Sequence, residues 1–364
     1  MPAKVAVLGA GLIGGSIGLG LMAAGRGAEV IGHDVDTAAL DTGLKRGAFS
    51  AGASDPARAV EGADLVVVAV PVDVSADVCR RMAPALDPAA VVTDVGSAKA
   101  VVVADCETLL GARFVGGHPM AGSERHGIEA ASGDLFQDAW WILTPTTTTS
   151  SAAYREASGL AAALGARPVA LEPADHDRLL ARLSHLPQVA ASALVAAAVA
   201  SEDKESLLGL AAGGFRDVTR IAASRPDLWV TILRANREAV LEALGEFERD
   251  LGLVGSLLRT EAWDELEAFL GRARSARMEM FTKPEMHDEP VILAMPVLDR
   301  PGVLAEVTTA AGALGANIED LRIVHSTEGG RGRLELVVAG EEPAARLATA
   351  LAELGYRVER GRPE

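Results

Sequence analysis

Aromatic residues, cysteines and positive charge are all scarce in this chain of 364 residues. Phe, Trp and Tyr make up only 4% of it, so the 49% of hydrophobic residues are mainly Ala, Val and Leu. This composition is typical of buried parallel strands that alternate with helices, and it excludes a chain that is disordered throughout. Lys and Arg number 34 against 50 Asp and Glu, which gives a net charge of −16. Such a charge repels polyanions, so we expect no nucleic-acid and no membrane partner.

The two cysteines, Cys79 and Cys106, do not have the spacing of a metal site. No apolar run could span a bilayer without small or charged interruptions. Met1 to Leu8 enters a strand pattern at once, without the layout of a signal peptide. We therefore expect reduced thiols, no bound metal and a cytoplasmic location.

Three stretches with different patterns of predicted secondary structure follow one another. This is expected for a chain longer than the roughly 250 residues of one large domain. Residues 1–172 alternate strand and helix signals, which predicts an α/β doubly wound sheet of Rossmann type. Residues 173–283 hold almost no strand signal and predict an all-α unit, whose widely apolar helices favour dimerisation. After a polar linker, residues 289–364 show the order βαββαβ of a small ferredoxin-like α+β domain.

A glycine-rich motif opens the first domain. Residues 9–14 read G-x-G-x-x-G between a strand and a helix, and Asp34 ends the second strand. Gly9 permits the tight turn, Gly11 lets a pyrophosphate approach the backbone, and Gly14 lets the helix pack closely. The helix N-terminus favours phosphate, while Asp34 would bind ribose hydroxyls and repel a 2′-phosphate. The motif therefore predicts NAD, with contacts from Gly9, Gly11, Leu12, Ile13, Gly14, Asp34, Val70, Pro71 and Gly96.

A histidine follows the strand signal that begins at Arg113. His118 lies between two glycines and a proline, a poor setting for a core histidine. Histidine is the natural base near neutral pH. Taken alone, a catalytic base and a loop histidine that binds local backbone are equally good interpretations.

Six blocks, in order, resemble the prephenate/arogenate dehydrogenases, the tyrosine-forming dehydrogenases. The resemblance covers about residues 4–282 and is specific because every block occurs in the expected order. The blocks are GAGLIGGS from Gly9, AVP from Ala69, TDVGSAK from Thr93, GGHPMAGSERHGIEAASGDLFQDAWWILTP from Gly116, HDRLLARLSHLPQ from His176 and GGFRDVTRIAASRPDLW from Gly213.

The resemblance implies oxidation of a cyclohexadienol, in which hydride passes to nicotinamide and carbon dioxide leaves as the ring aromatises. His118 matches the family's catalytic histidine and Ser97 a serine that supports it, although Ser97 could equally be a helix N-cap ahead of Ala98. Arg220 matches the arginine that binds the ring carboxylate; a surface ion pair is the alternative.

Other matched residues concern the far end of the substrate. His185 matches a further active-site histidine, whereas Gln188 stands where the family often has a second one. A neutral amide fits the ketone of prephenate without excluding the ammonium of arogenate. Ser123 and Glu124 are expected in the same pocket, and Glu124 could also gate it through ion pairing.

The last domain resembles an ACT domain, through the run DRPGVL from Asp299 and GANI from Gly315. Such domains pair and bind amino acids, so we expect tyrosine as an effector. Asp299 and Asn317 are candidates for binding its amino group; a helix N-terminal charge and a left-handed turn residue are equally good interpretations.

Taken together, the sequence predicts an NAD-dependent homodimer that converts prephenate to 4-hydroxyphenylpyruvate under feedback control by tyrosine. Arogenate dehydrogenase is the alternative substrate assignment. A hydroxyacid dehydrogenase would use a catalytic lysine instead of His118, and a non-catalytic sensor of amino acids or dinucleotides would not need the retained catalytic residues.

Overall fold

The computed structural model describes residues 3–25, 29–122, 126–200, 213–281, 290–298, 303–325 and 331–361. The chain divides into two compact units, residues 1–253 and 254–364. The predicted division into three domains stays a prediction.

The first unit is built on a sheet of eight strands among its described residues. Their order is β3-β2-β1-β4-β5-β6-β7-β8. The strands are β1 (Lys4–Leu8), β2 (Glu29–His33), β3 (Ala51–Gly52), β4 (Leu65–Val68), β5 (Val91–Asp94), β6 (Phe114–Pro119), β7 (Trp140–Thr144) and β8 (Arg167–Ala170).

Helices connect and cover these strands. The helices are α1 (Leu12–Ala23), α2 (Thr37–Lys45), α3 (Pro56–Ala59), α4 (Ser75–Met82), α5 (Ala100–Leu110), α6 (Ser151–Ala163), α7 (Pro173–Leu180), α8 (Leu186–Val199), α9 (Gly213–Thr219), α10 (Pro226–Ala235) and α11 (Arg237–Arg259). The last of them crosses the boundary between the units.

Every residue of β4 and β5 is buried, as expected of strands covered on both faces. Side chains of the preceding residues cap the N-termini of several helices. The Asp36 carboxylate accepts hydrogen bonds from the first N–H groups of α2, and the Ser150 hydroxyl does the same for α6. Cys79 and Cys106 are free and buried, with their Sγ atoms 3.4 Å apart.

Strands β1 to β6 pair in parallel in the order 3-2-1-4-5-6, which is the predicted Rossmann arrangement. Strand β7 departs from it by running antiparallel to β6, with Gly117 opposite Leu143. A parallel partner would need a long crossover, usually a helix. The described residues between these strands form turns, among them the 3-10 turn Ile128–Ala130, and no α-helix that would serve as such a crossover.

The long helix predicted over residues 175–200 is interrupted. A π-helical turn, Ala181–His185, separates α7 from α8 just before Pro187. Proline lacks an N–H and its ring crowds the carbonyl four residues earlier, which accounts for the wider turn. By length and composition Pro173–Val199 could cross a membrane, and 28% of its most apolar window is buried.

The second unit contains α12 (Trp263–Phe281) and the predicted order βαββαβ. Its elements are β9 (Pro290–Leu298), α13 (Val303–Ala313), β10 (Ile318–His325), β11 (Arg331–Ala339), α14 (Glu341–Glu353) and β12 (Glu359–Gly361). The four strands form an antiparallel sheet in the order β10-β11-β9-β12. Its helices bury Leu347 and Leu351 in the same cluster as Leu293 and Leu336 of the sheet.

Gly14→Ala tests the close packing of α1 on the sheet. A Cβ at Gly14 would collide with the backbone oxygen of Gly9, whereas a Cβ at Gly11 would meet nothing within 4 Å. We expect Gly14→Ala to cost about 1–3 kcal/mol of stability, as overpacking does, and Gly11→Ala to cost clearly less. Urea unfolding followed by circular dichroism measures both. Equal losses in the two variants would contradict the packing argument.

Candidate active site

The glycine-rich turn leaves one face of the α1 N-terminus open. Gly9 has φ +113° and lies against the carbonyl of Ala69, so a side chain fits at neither Gly9 nor Gly14. At Gly11 the space is clear, and no side chain caps the first turn of α1. Open space above free helical N–H groups is what a dinucleotide pyrophosphate needs. Leu12 and Ile13 begin the helix and are half-buried.

Asp34 is fixed beside this turn. Its Oδ2 accepts a hydrogen bond from the Ala10 N–H at 2.6 Å, and its Oδ1 accepts one from the Asp36 N–H at 2.8 Å. The carboxylate thus lies beside the glycine turn, and its contact with the ribose hydroxyls stays a prediction from the motif. Val70 and Pro71 follow β4, at the edge of the sheet to which β1 and β5 also contribute.

His118 lies within β6, which continues to Pro119, and not in a loop beyond the strand. It is buried, and its Nδ1 is 2.8 Å from Nε2 of His176. Nδ1 of His176 is in turn 2.8 Å from Oδ1 of Asp177. These three side chains form a chain of hydrogen bonds that runs from α7 to the sheet. This arrangement differs from that of a loop histidine that binds only the local backbone.

The direction of that chain follows from chemistry. An ionised carboxylate only accepts hydrogen bonds, so His176 must donate from Nδ1 to Asp177 and accept at Nε2. His118 must then donate from Nδ1 to His176. A neutral His118 consequently carries a free lone pair on Nε2. Burial and then the neighbouring His176 lower the pKa of His118 well below that of an ordinary histidine, so it is neutral at pH 7.

The Asp177 carboxylate also caps the N-terminus of helix α5. Burial alone would raise the pKa of its carboxyl, but the hydrogen bonds from His176 and from the backbone N–H groups of Ala100 and Lys99 hold it below its usual value. The two backbone groups are 2.9 and 2.7 Å from the carboxylate. The alternative of Ser97 as an N-cap ahead of Ala98 is therefore wrong, because α5 starts at Ala100 and a side chain from α7 caps it.

A buried ion pair lies beneath His118. The ammonium of Lys99 pairs with Oδ2 of Asp94 and donates to the Gly117 carbonyl at 2.8 Å. Asp94 also accepts from the N–H groups of Gly96 at 2.8 Å and Gly117 at 3.1 Å. The pair thus ties the end of β5 to the residue before His118. Removing one partner from such a pair costs about 3–5 kcal/mol.

A second histidine borders the site. His185 ends the π turn and is buried, and burial lowers its pKa to about 4. Its Nδ1 is 3.1 Å from Nδ2 of Asn236, and its ring meets Trp229 edge-on at 6.0 Å. Within the described part of the chain, Nε2 of His185 and Oε1 of Gln188 are buried without a hydrogen-bond partner. Buried polar atoms of this kind are candidates for contact with a ligand or with an ordered water.

For the remaining predicted residues the structure gives the position in the fold and the exposure to solvent. Ser97 is half-buried in the turn between β5 and α5. Arg220 is exposed in the 3-10 turn Arg220–Ala223, which packs against α8. Ser123 and Glu124 lie outside the described residues.

The sequence interpretation missed several polar residues of the site. His176 and Asp177 opened one of the matched blocks, and Lys99 closed another, but neither block indicated a contact with His118. Asn236 lay in no matched block. A buried polar cluster in a strand-to-helix turn was the available signal. The contacts of His176 with His118, of Asp177 with Lys99 and of Asn236 with His185 join residues 58, 78 and 51 positions apart.

Comparison with known proteins adds to this geometry. The family pattern described as "Prephenate dehydrogenase, nucleotide-binding domain" matches residues 17–170, and "Prephenate dehydrogenase, dimerization domain" matches residues 172–272. Prephenate dehydrogenase of Bacillus subtilis (strain 168) is 32% identical over 355 residues, which is 95% of each chain.

Two solved structures are similar as well. One is prephenate dehydrogenase from A. aeolicus in complex with hydroxyphenyl propionate and NAD+, with a TM-score of 0.72 and 32% identity over 76% of this chain and 98% of that one. The other is Synechocystis arogenate dehydrogenase, with a TM-score of 0.67 and 30% identity over 76% and 99%. Because both family patterns match and a relative is matched over nearly its whole length, the chain belongs to the prephenate dehydrogenase family.

Proposed function

We propose that this protein oxidises prephenate with NAD and releases carbon dioxide, forming 4-hydroxyphenylpyruvate for tyrosine biosynthesis. The observation that carries the proposal is the free Nε2 lone pair of buried, neutral His118 at the carboxyl edge of the sheet. NAD is the cofactor, and the open turn at Gly11 with Asp34 beside it fits NAD. When bound, NAD supplies the nicotinamide ring that accepts the hydride.

In this proposal His118 takes the proton of the ring hydroxyl on Nε2. The imidazolium that forms keeps its Nδ1–H bond to His176, and the Asp177 carboxylate at the end of the chain stabilises the positive charge. Because Asp94 already balances Lys99, the Asp177 carboxylate remains to balance His118 during the reaction. Ser97 is proposed to hydrogen-bond the same hydroxyl.

We assign substrate binding to side chains other than His118. We assign the ring carboxylate to Arg220, whose planar guanidinium can hold it through two hydrogen bonds. The far end of the substrate lies near His185 and Gln188, whose unpaired atoms support this assignment. Ser123 and Glu124 stay candidates for the same pocket.

Arogenate is the second candidate substrate. Gln188 has no charge to attract an ammonium, which favours prephenate, yet its unpaired Oε1 could accept a hydrogen bond from that group. A non-catalytic sensor has less support, because it would have no need for a base held in one tautomer.

The substrate assignment predicts that NAD is reduced when prephenate is added. The increase in NADH absorbance should be accompanied by release of carbon dioxide, and kcat/KM for prephenate should exceed that for arogenate by about tenfold or more, the range that one polar contact supplies. A preference for arogenate would establish the second candidate. Absence of NADH with both substrates would overturn the proposal.

His118→Asn tests the base. An amide cannot take the hydroxyl proton, so we expect kcat to fall by about 10²–10⁴-fold, the usual contribution of a general base. The affinity for NAD, measured by fluorescence titration, should stay unchanged, because His118 does not belong to the glycine turn. His126→Asn, at an exposed position, is the matched control and should retain turnover. Near-normal rates in His118→Asn would exclude its role as the base.

We further propose a cytoplasmic homodimer formed through the helical region. Large apolar side chains are exposed on its helices, including Leu228 and Val230 of α10 and Leu241 and Leu251 of α11. An exposed apolar surface of this kind is typical of a subunit interface. The match to a pattern described as a dimerization domain supports the same assignment.

Residues 289–364 of the second unit are proposed to form an ACT domain that binds tyrosine. Their βαββαβ order and their antiparallel sheet support the assignment. Asn317 is exposed in the turn between α13 and β10, which follows Gly315 with φ +65°. Asp299, the other candidate for the amino group of the effector, lies outside the described residues.

Tyrosine should inhibit the full-length enzyme, and Asn317→Ala should weaken that inhibition. Loss of one hydrogen bond to a charged amino group predicts an inhibition constant about 10-fold higher. Steady-state kinetics at varied prephenate concentrations measure it, with Arg346→Ala on the exposed face of α14 as the control. Inhibition that is purely competitive with prephenate and equal in both variants would place tyrosine in the active site and contradict this proposal.

A further inference from the structure

Asn236 lies in the junction between α10 and α11 and is buried. We propose that Asn236 is a positioning residue that fixes His185 as a hydrogen-bond donor to an acceptor oxygen of the substrate, a carboxylate or ketone oxygen. The inference rests on the proposed function for the identity of that substrate. It does not depend on the proposed function for the tautomer of His185, which follows from contacts within the protein.

The orientation of the Asn236 amide is set by a backbone carbonyl. Nδ2 of Asn236 is 2.8 Å from the carbonyl oxygen of Asp177. A carbonyl oxygen can only accept a hydrogen bond, so the amide atom that faces it must be the NH₂ group. This contact fixes which way round the amide stands, independently of its neighbours.

The same NH₂ group has a second hydrogen, and His185 receives it. Nδ2 of Asn236 is 3.1 Å from Nδ1 of His185. Because the amide nitrogen is a donor, Nδ1 must be the acceptor and cannot carry a hydrogen. A neutral imidazole with a bare Nδ1 carries its hydrogen on Nε2. Protonation of Nδ1 would set two donors against each other, so the contact excludes the charged form as well.

The Nε2–H group that results is a buried donor in need of a partner. His185 is 1% exposed, and within the described residues its Nε2 contacts no hydrogen-bonding atom. An unmade hydrogen bond at a buried donor is costly. A ligand oxygen would satisfy it, whereas an ammonium group, being a donor itself, would not. The site therefore selects for an acceptor at this position.

His118 and His185 thus offer opposite groups to the substrate. His118 presents a lone pair on Nε2, and His185 presents a hydrogen on Nε2. Both assignments start from Asp177. Its carboxylate orients His176 and then His118, while its carbonyl orients Asn236 and then His185. One histidine can take a proton from the substrate, and the other can only hold an oxygen.

Nitrogen NMR on the full-length wild-type protein labelled with ¹⁵N-histidine measures the tautomer of His185 itself. The chain has seven histidines, and His185→Phe identifies the signal of interest by its disappearance. We expect the His185 signals at neutral pH to show a protonated Nε2 and a bare Nδ1. A His185 that carries its hydrogen on Nδ1 would overturn the proposal, whatever the enzyme turns over.

Asn236→Asp tests the consequence for the substrate. A carboxylate has nearly the same shape but only accepts hydrogen bonds, so it loses the contact with the Asp177 carbonyl as well as the donor to Nδ1. As an acceptor that faces Nδ1 it draws the hydrogen of a neutral His185 to that nitrogen, which turns the lone pair of Nε2 toward the substrate. We expect KM for prephenate to rise by about 10- to 100-fold, as for a lost hydrogen bond to a charged group, with a much smaller change in kcat. Asn236→Ala removes the donor without adding an acceptor and should give a smaller rise.

The two measurements separate this inference from the proposed function. A protonated Nε2 together with the expected rise in KM supports the inference. An unchanged KM in a folded Asn236→Asp whose His185 has switched tautomer would overturn it, because the orientation of that hydrogen would then not matter to the substrate. A wild-type enzyme that uses neither prephenate nor arogenate would overturn the proposed function, and the NMR result would still decide the tautomer.

Discussion

The hydrogen bonds of Asp177 hold the active site together. Its carboxylate caps α5, which follows β5, and fixes the direction of the hydrogen bonds to His176 and His118. Its backbone carbonyl fixes Asn236. Asp177 lies on α7, in the helical region, while His118 lies on the sheet, so His118 is held in this orientation only when α7 packs against the sheet. The reactive arrangement is therefore a property of the packed first unit and not of the sheet alone.

Burial determines the charge state of this site. Three histidines, a lysine and two aspartates are almost fully removed from water, and burial lowers the pKa of each of the histidines. A neutral imidazole donates from one ring nitrogen and accepts at the other. The outer partners decide which nitrogen does which, because the Asp177 carboxylate only accepts and the Asn236 amide nitrogen only donates. The whole chain carries a large negative charge, but inside the site the charge of Lys99 cancels that of Asp94.

The sequence was most informative where function depends on local backbone. The glycine turn and Asp34 could be predicted because each follows a strand, and His118 because it lies close to the C-terminal end of one. The carboxyl ends of parallel strands lie at one edge of a sheet. His176, Lys99 and Asn236 could not be predicted as partners, because their contacts join segments far apart in the chain and leave no periodic signal. The cap of α5 was misassigned for the same reason: a distant carboxylate displaced the serine that local rules favoured.

The π turn before Pro187 determines in which directions the side chains of α7 and α8 project relative to each other. A regular α-helix advances about 100° per residue, so His176 and His185, nine positions apart, would project from opposite sides. The wider turn advances less per residue and brings the second side chain round toward the first. The one wide turn therefore brings His185 nearer to the side from which His176 projects than a straight helix would.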